Sequence, residues 1–222
     1  MAGGSPKLVC FDLDGTVMLR PNSLQYLCRL NHASEQILAD IDRRERNGEV
    51  DWIAADYERV RLIAGLPVAN VEDSIDGQLL TIANLDLVLC ALRSRGILTV
   101  LITSGPIEVA QAVTRRFAFD HCFGSEFETS GAGNGVYTGR ITRHLGSTGK
   151  LDCLLELCHA ARIALEDCVA VGDGESDIAL FRAVGTSIGI NCSNDMTDFV
   201  QREIRGHDLS AILPFILQEP GS

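Results

Sequence analysis

A chain of 222 residues is long enough to bury a full core and to carry a smaller second unit. Its formal net charge of −11 argues against a nucleic-acid partner, because a phosphate backbone would be repelled by most of the surface. No apolar run approaches the roughly 20 residues that span a bilayer, and the opening MAGGSPK lacks the apolar core of a signal peptide, so a soluble, cytoplasmic protein with no membrane partner is expected. The eight cysteines form no C-x-x-C pair and lie mostly in apolar runs, and the five histidines are scattered, which leaves a zinc site or a histidine-based triad without support.

In chain order, the apolar run at residues 8–11 predicts a buried strand that ends in VCFDLDGT, where Asp12 and Asp14 stand one residue apart and Gly15 permits a sharp turn. Side-chain direction alternates along a strand, so the two acids lean to one side and repel unless something positive lies between them. A cation is the simple answer. Residues 20–84 hold no convincing strand but several amphipathic helical windows, at 23–30, 34–46 and 51–63, broken at Asn47-Gly48 and Gly65-Leu66-Pro67. Beyond them, strand-like runs at 98–103, 121–124, 169–172 and 187–190 alternate with helical periodicity at 85–95, 107–117, 150–164 and 177–183. Residues 125–142, SEFETSGAGNGVYTGRIT, place two alternating segments around a glycine-rich turn and predict a β-hairpin on the sheet edge. The expected fold is α/β, a Rossmann-like parallel sheet core built from residues 1–19 and 85–222, with residues 20–84 inserted as a helical unit after the first strand.

Three later segments return chemistry-bearing residues to strand ends, where parallel sheets place their ligands. VLITSGP ends a strand in Ser104 and Gly105, whose hydroxyl and backbone N–H suit phosphate oxygens; Ser104 reads equally as a helix N-cap with Pro106 in the first turn. Lys150 opens an amphipathic helix, where a lysine is ordinarily a solvated charge. VAVGDGESDIALF repeats the opening pattern, with Asp173 between two glycines and Asp177 four residues later at a helix start.

The order DLDGT, strand-Ser, Lys, GDGxxD resembles the four motifs of the haloacid dehalogenase superfamily, in its magnesium-dependent phosphatases, and is closest to the phosphoserine-phosphatase-like branch, whose helical cap lies between the first two motifs. The stretch NGEVDW…YERVRLIAGLP also resembles the middle of that cap. The resemblance implies that Asp12 is the nucleophile, taking the phosphoryl group as an aspartyl phosphate, and Asp14 the acid and then base. It implies Mg²⁺ held by Asp12, the Asp14 carbonyl and Asp173, phosphate held by Ser104, Gly105 and Lys150, and Asp177 orienting Lys150 or a metal-bound water. The acid two residues after the nucleophile favours phosphate-ester chemistry over dehalogenation.

In the cap, Arg59 falls where that branch binds a substrate carboxylate and Trp52 keeps an aromatic position. Arg20-Pro21 replaces the glutamate expected for a substrate ammonium, and Arg46 replaces an apolar residue. These residues predict a small-molecule phosphate ester that is anionic or polyhydroxylated rather than amino-bearing, since an amine would meet no carboxylate; both Arg46 and Arg59 also fit as ordinary helix-surface residues. A phosphotransferase or phosphomutase using the same nucleophile, and a receiver-like phosphoaccepting signalling domain, are the alternatives.

Overall fold

In the computed structural model, which describes residues 6–78, 80–131 and 135–217, the chain forms β1 (Leu8–Phe11), β2 (Met18–Arg20), α1 (Ser23–Leu30), α2 (Glu35–Arg46), α3 (Trp52–Arg61), α4 (Ala69–Gln78), β3 (Leu80–Thr81) and α5 (Leu85–Ser94). It continues through β4 (Leu98–Pro106), α6 (Ile107–Phe117), β5 (His121–Ser130), β6 (Val136–Arg143), α7 (Gly149–Ala161), β7 (Cys168–Gly172), α8 (Ile178–Ala183), β8 (Thr186–Ile190), β9 (Arg202–Ile204) and α9 (Leu213–Ile216). Seven strands make one sheet in the order β6-β5-β4-β1-β7-β8-β9, parallel throughout except for β6, which runs antiparallel to β5.

The two-residue period of β1 explains its central place. Val9 and Phe11 enter one apolar cluster with Leu101, Val169, Val171 and the inner faces of α5 and α6. Leu8 and Cys10 enter another with Val100, Ile102, Ala170, α7 and α8. A strand apolar at every position suits burial on both faces, and all four of its residues are buried. The chain winds outward from β1 through β4 and β5, then returns to build β7, β8 and β9 on the other side. The ends of β1, β4 and β7 therefore converge at the point where the strand order reverses, which is where such sheets place a ligand crevice.

Between β1 and β4 lies the helical insertion. The chain leaves and re-enters the core through β2 and β3, which pair antiparallel, and Ala83 exchanges backbone hydrogen bonds with His207 and Leu209 on the core. Asn22 caps α1 through Gln25 N (2.7 Å) and Asp51 caps α3 through Ala54 N (2.7 Å), so each short polar residue before an amphipathic run fixes a helix start. Residues 65–68 run beside β6: Gly65 N donates to Tyr137 O (2.8 Å), Tyr137 N to Leu66 O (3.0 Å) and Val68 N to Gly135 O (3.0 Å). The insertion is thus stitched to the hairpin edge while staying outside the main sheet.

The hairpin forms as expected, with β5 extending well past residue 124; its turn residues 132–134 lie outside the described residues, as does the opening MAGGS. Strands β2, β3 and β9 and helix α4 escape periodicity, the strands because two or three residues carry no period. Ser104 does not cap α6. That helix starts behind Pro106, and the serine hydroxyl instead bonds Leu145 O (2.9 Å). Among the described residues no helix is long and apolar enough to cross a membrane.

Leu101 sits at 0% exposure on β4 opposite Phe11. Leu101→Ala should lower unfolding stability by about 2–5 kcal/mol, through lost transfer energy and a residual cavity. Urea unfolding should show a lower midpoint with an unchanged slope.

Candidate active site

Asp12 ends β1 and Asp173 follows β7, the adjacent strand, so the pairing of Phe11 with Val171 brings the two acids to the same sheet edge. Lys150, at the start of α7, reaches that edge from one helical layer: its Nζ donates to Asp12 Oδ1 (2.6 Å) and Asp177 Oδ1 (2.7 Å). Lys150 and Asp177 are each only 1% exposed, which corrects the expectation of a solvated lysine drawn from its sequence context. The other carboxylate oxygen of Asp177 accepts from the backbone N–H of Asp173 (3.2 Å) and Gly174 (3.3 Å), so this acid holds both the lysine and the Asp173 loop.

Asp14 is gripped by Ser23 at the start of α1, through the backbone N–H to Oδ1 (2.6 Å) and the hydroxyl to Oδ2 (2.5 Å). Gly105 is what permits this approach, because a methyl there would lie 2.1 Å from Ser23 Oγ and 2.9 Å from Asp14 Oδ2. Gly15 does the same beside Asp173: its φ is +83°, and a Cβ would meet Asp173 Oδ2 at 2.0 Å.

Burial raises the Asp12 carboxyl well above the usual range and repulsion from Asp177 adds to it, while Lys150 opposes both. Burial likewise raises Asp14 to about 6, against the two hydrogen bonds from Ser23. Asp173 is raised by burial and by Asp177. Burial works against the Lys150 charge, but Asp12 and Asp177 outweigh it and hold the ammonium protonated. One lysine faces more acid than it can balance.

That imbalance fits a hard cation. Asp12, Asp173 and Asp177 each offer an oxygen within 4.8 Å of one another, an all-oxygen donor set of the kind divalent cations of the alkaline-earth type take. Cation binding would offset the burial cost and the repulsion that together raise the carboxyl values.

The acids open into a cleft of about 180 Å³ lined also by Asn22, Leu24, Glu45, Trp52, Asp56, Arg59, Thr103, Ser104, Gly105 and Ser176. Asp12, Asp14, Ser104, Gly105, Lys150 and Asp173 therefore share one cleft, with Asp177 behind them. The Gly105 N–H is committed to Thr103 Oγ1 (2.9 Å), and Ser104 O accepts from Ser125 Oγ (2.6 Å), which also receives Leu145 N (2.9 Å). A second hollow of about 580 Å³ shares Asn22, Glu45, Trp52 and Arg59 with the first and adds Gln25, Asp42, Arg46, Asp51 and Glu175.

The inserted helices form the far wall, and here two expectations are corrected. Arg20 is exposed and lines a neighbouring hollow with Leu80 and His207, which shares only Asp173 with this cleft, and it is not among the cleft's lining residues. Carboxylates are not lacking in the cleft. Arg59 is buried among three of them, Nη2 bonding Asp42 Oδ1 (2.7 Å) and Glu45, and Nη1 bonding Asp56 Oδ1 (3.3 Å). Across the two hollows the inserted wall and its rim set Asp42, Glu45, Asp51, Asp56 and Glu175 against Arg46 and Arg59, and Arg46 is exposed, its Nε on Asp42 O (3.1 Å).

His144, on the loop after β6, joins this wall to the core. Its Nε2 lies 3.1 Å from Asp56 Oδ2, and its ring lies against Trp52 and stacks on Tyr57 with centroids 5.4 and 5.9 Å away. Ser23, His144 and the acids around Arg59 escaped the sequence reading. Asp42/Glu45 and Asp56/Arg59 each have the i, i+3 spacing of one helix face, but nothing in the sequence shows that the two faces meet.

A family model described as haloacid dehalogenase-like hydrolase matches residues 9–182. The phosphoserine phosphatase of Halobacterium salinarum is 32% identical over 186 residues, covering 83% of this chain and 85% of the relative. That of Archaeoglobus fulgidus is 28% identical over 204 residues, 91% of this chain and 58% of the relative, so the chain spans little more than half of the latter protein. A solved phosphoserine phosphatase structure with an analogue of a phospho-aspartyl intermediate shares the fold at a TM-score of 0.82, covering 96% of this chain and 100% of its own at 23% identity.

If the acid cluster binds a divalent cation only in the folded state, millimolar cation should raise the thermal midpoint by linkage. Asp173→Asn should abolish that rise, which a metal titration followed by thermal unfolding would check.

Proposed function

The chain belongs to the haloacid dehalogenase-like hydrolases, in their phosphoserine-phosphatase-like branch, and from that membership we propose a magnesium-dependent phosphomonoesterase acting on a small phosphorylated metabolite through an aspartyl phosphate. The observation that carries the reading is the buried Lys150 bridging Asp12 and Asp177 beside Asp14 and Asp173, at the strand ends where the cleft opens.

Each step falls to a residue of the cleft. Asp12, its backbone N–H bonded to Val171 O (2.9 Å), is held at the end of a rigid central strand and attacks phosphorus with one carboxylate oxygen. As the bond from phosphorus to the ester oxygen breaks, Asp14 gives its proton to the departing alkoxide. The resulting Asp14 carboxylate then takes a proton from water, whose oxygen attacks phosphorus and breaks the bond to Asp12, restoring both acids.

Lys150 lies within reach of the charge that builds on the phosphoryl oxygens, and the Ser104 hydroxyl and Gly105 N–H supply donors once they turn from Leu145 and Thr103. Mg²⁺, for which Asp12, the Asp14 carbonyl and Asp173 are the proposed ligands, supplies positive charge that offsets repulsion between acids and phosphate. Asp177 is the positioning residue: it aims Lys150 and pins the backbone of the Asp173 loop. Residues 20–84 act as the cap over this chemistry, with Trp52 and His144 at the seam.

Asp12→Asn should fold normally and lose phosphate release by several orders of magnitude, because covalent catalysis needs that carboxylate. Excess chelator should abolish turnover of p-nitrophenyl phosphate, Mg²⁺ should restore it, and Ca²⁺, with its larger and looser coordination shell, should inhibit. Near-normal turnover in the variant, or in chelator, would remove the reading.

A further inference from the structure

Arg59 is 4% exposed and stands in the wall of the cleft, yet neither of its two-point edges is free for an anionic ligand. A guanidinium grips a carboxylate through one of two forks, the pair Nη1/Nη2 or the pair Nε/Nη2. Both forks need Nη2. Here both Nη2 hydrogens are taken, one by Asp42 and one by Glu45, while Nη1 serves Asp56 and Nε is buried with no hydrogen-bond partner in the structure.

A substrate carboxylate seeking a two-point grip would have to displace Asp42 or Glu45, turning an ion pair loose to make an equivalent one. It would also add a negative charge to a wall where three carboxylates already surround one guanidinium. A neutral polyol escapes the second penalty but does nothing for the surplus acid. A cation does both: it leaves the Arg59 cage intact and neutralises what Arg59 cannot. Glu45 and Trp52 line both hollows, so a cation between them would lie on the path outward from Asp12, with a carboxylate on one side and the indole on the other.

We propose that the preferred substrate is a phosphate monoester whose leaving alcohol carries a positively charged nitrogen and no carboxylate, the cation seated at Glu45 and Trp52. This rests on the phosphatase reading above. It predicts selection by charge in the leaving group, and it sets this cleft apart from one that recognises an amino acid by both ends.

The test compares kcat/KM for 3-aminopropyl phosphate, the near-isosteric butyl phosphate, 3-carboxypropyl phosphate and phosphoserine, with p-nitrophenyl phosphate as a reference lacking either charge. The aminoalkyl ester should exceed the alkyl ester by about tenfold or more, and the carboxyalkyl ester should fall below both. Glu45→Gln should shrink the amino-to-alkyl ratio by about tenfold, and Glu45→Asp should restore part of it. Because the ratio is taken within one variant, a general loss of activity or folding cancels.

A preference for phosphoserine or the carboxyalkyl ester, or a ratio unmoved by Glu45→Gln, would overturn the proposal while leaving the phosphatase standing. Failure of the wild-type chain to hydrolyse p-nitrophenyl phosphate with Mg²⁺ would overturn both.

Discussion

The site depends on a single buried cation. Without Lys150, Asp12, Asp173 and Asp177 would crowd one strand edge with nothing among them to balance their charge, and removing one partner from such a cluster typically costs about 3–5 kcal/mol. With it, the Asp12 carboxylate is held from below by an ammonium that Asp177 holds in place, and Asp177 in turn ties down the backbone that presents Asp173. The geometry follows from topology. Three strand ends meet where the winding of the sheet reverses, and the first turn of α7 delivers the lysine to the same point.

The lysine does not complete the balance, and the remainder is the opening for a divalent cation. The raised carboxyl values of Asp12 and Asp173 register the burial of these acids first and repulsion from Asp177 second. A cluster built this way trades stability for affinity, since a bound cation would offset both costs.

The core was legible in the sequence because its signals are local. Strand β1 is apolar at four consecutive positions and ends in acids; α1 and α6 match their periodic windows at both ends. The clustered carboxylates Asp12, Asp14 and Asp173 follow from the same logic, since a glycine-flanked acid after a buried strand has few structural uses. The cap wall was not legible. Arg59 read as a free cation because its own helix places only Asp56 three or four residues away; the two acids that occupy its Nη2 come from α2, across a helix pair whose register no periodicity encodes. Arg20 misled for the opposite reason: close in sequence to Asp14, it lies on a strand that carries it out of the cleft.

The backbone bonds between residues 65–68 and β6 bear on how the cleft can widen. A lid joined to its base only at its two chain crossings can swing about that stalk. This one is also laced along a sheet edge, so a simple swing would tear three main-chain hydrogen bonds whose partners then face each other unpaired. A movement that kept the inserted unit and the hairpin together would spare those bonds, with the flexing falling where β5 leaves the parallel core and where β2 and β3 cross into it. Entry of a phosphate ester is then governed by the stiffness of that edge as well as by the loops around the acids.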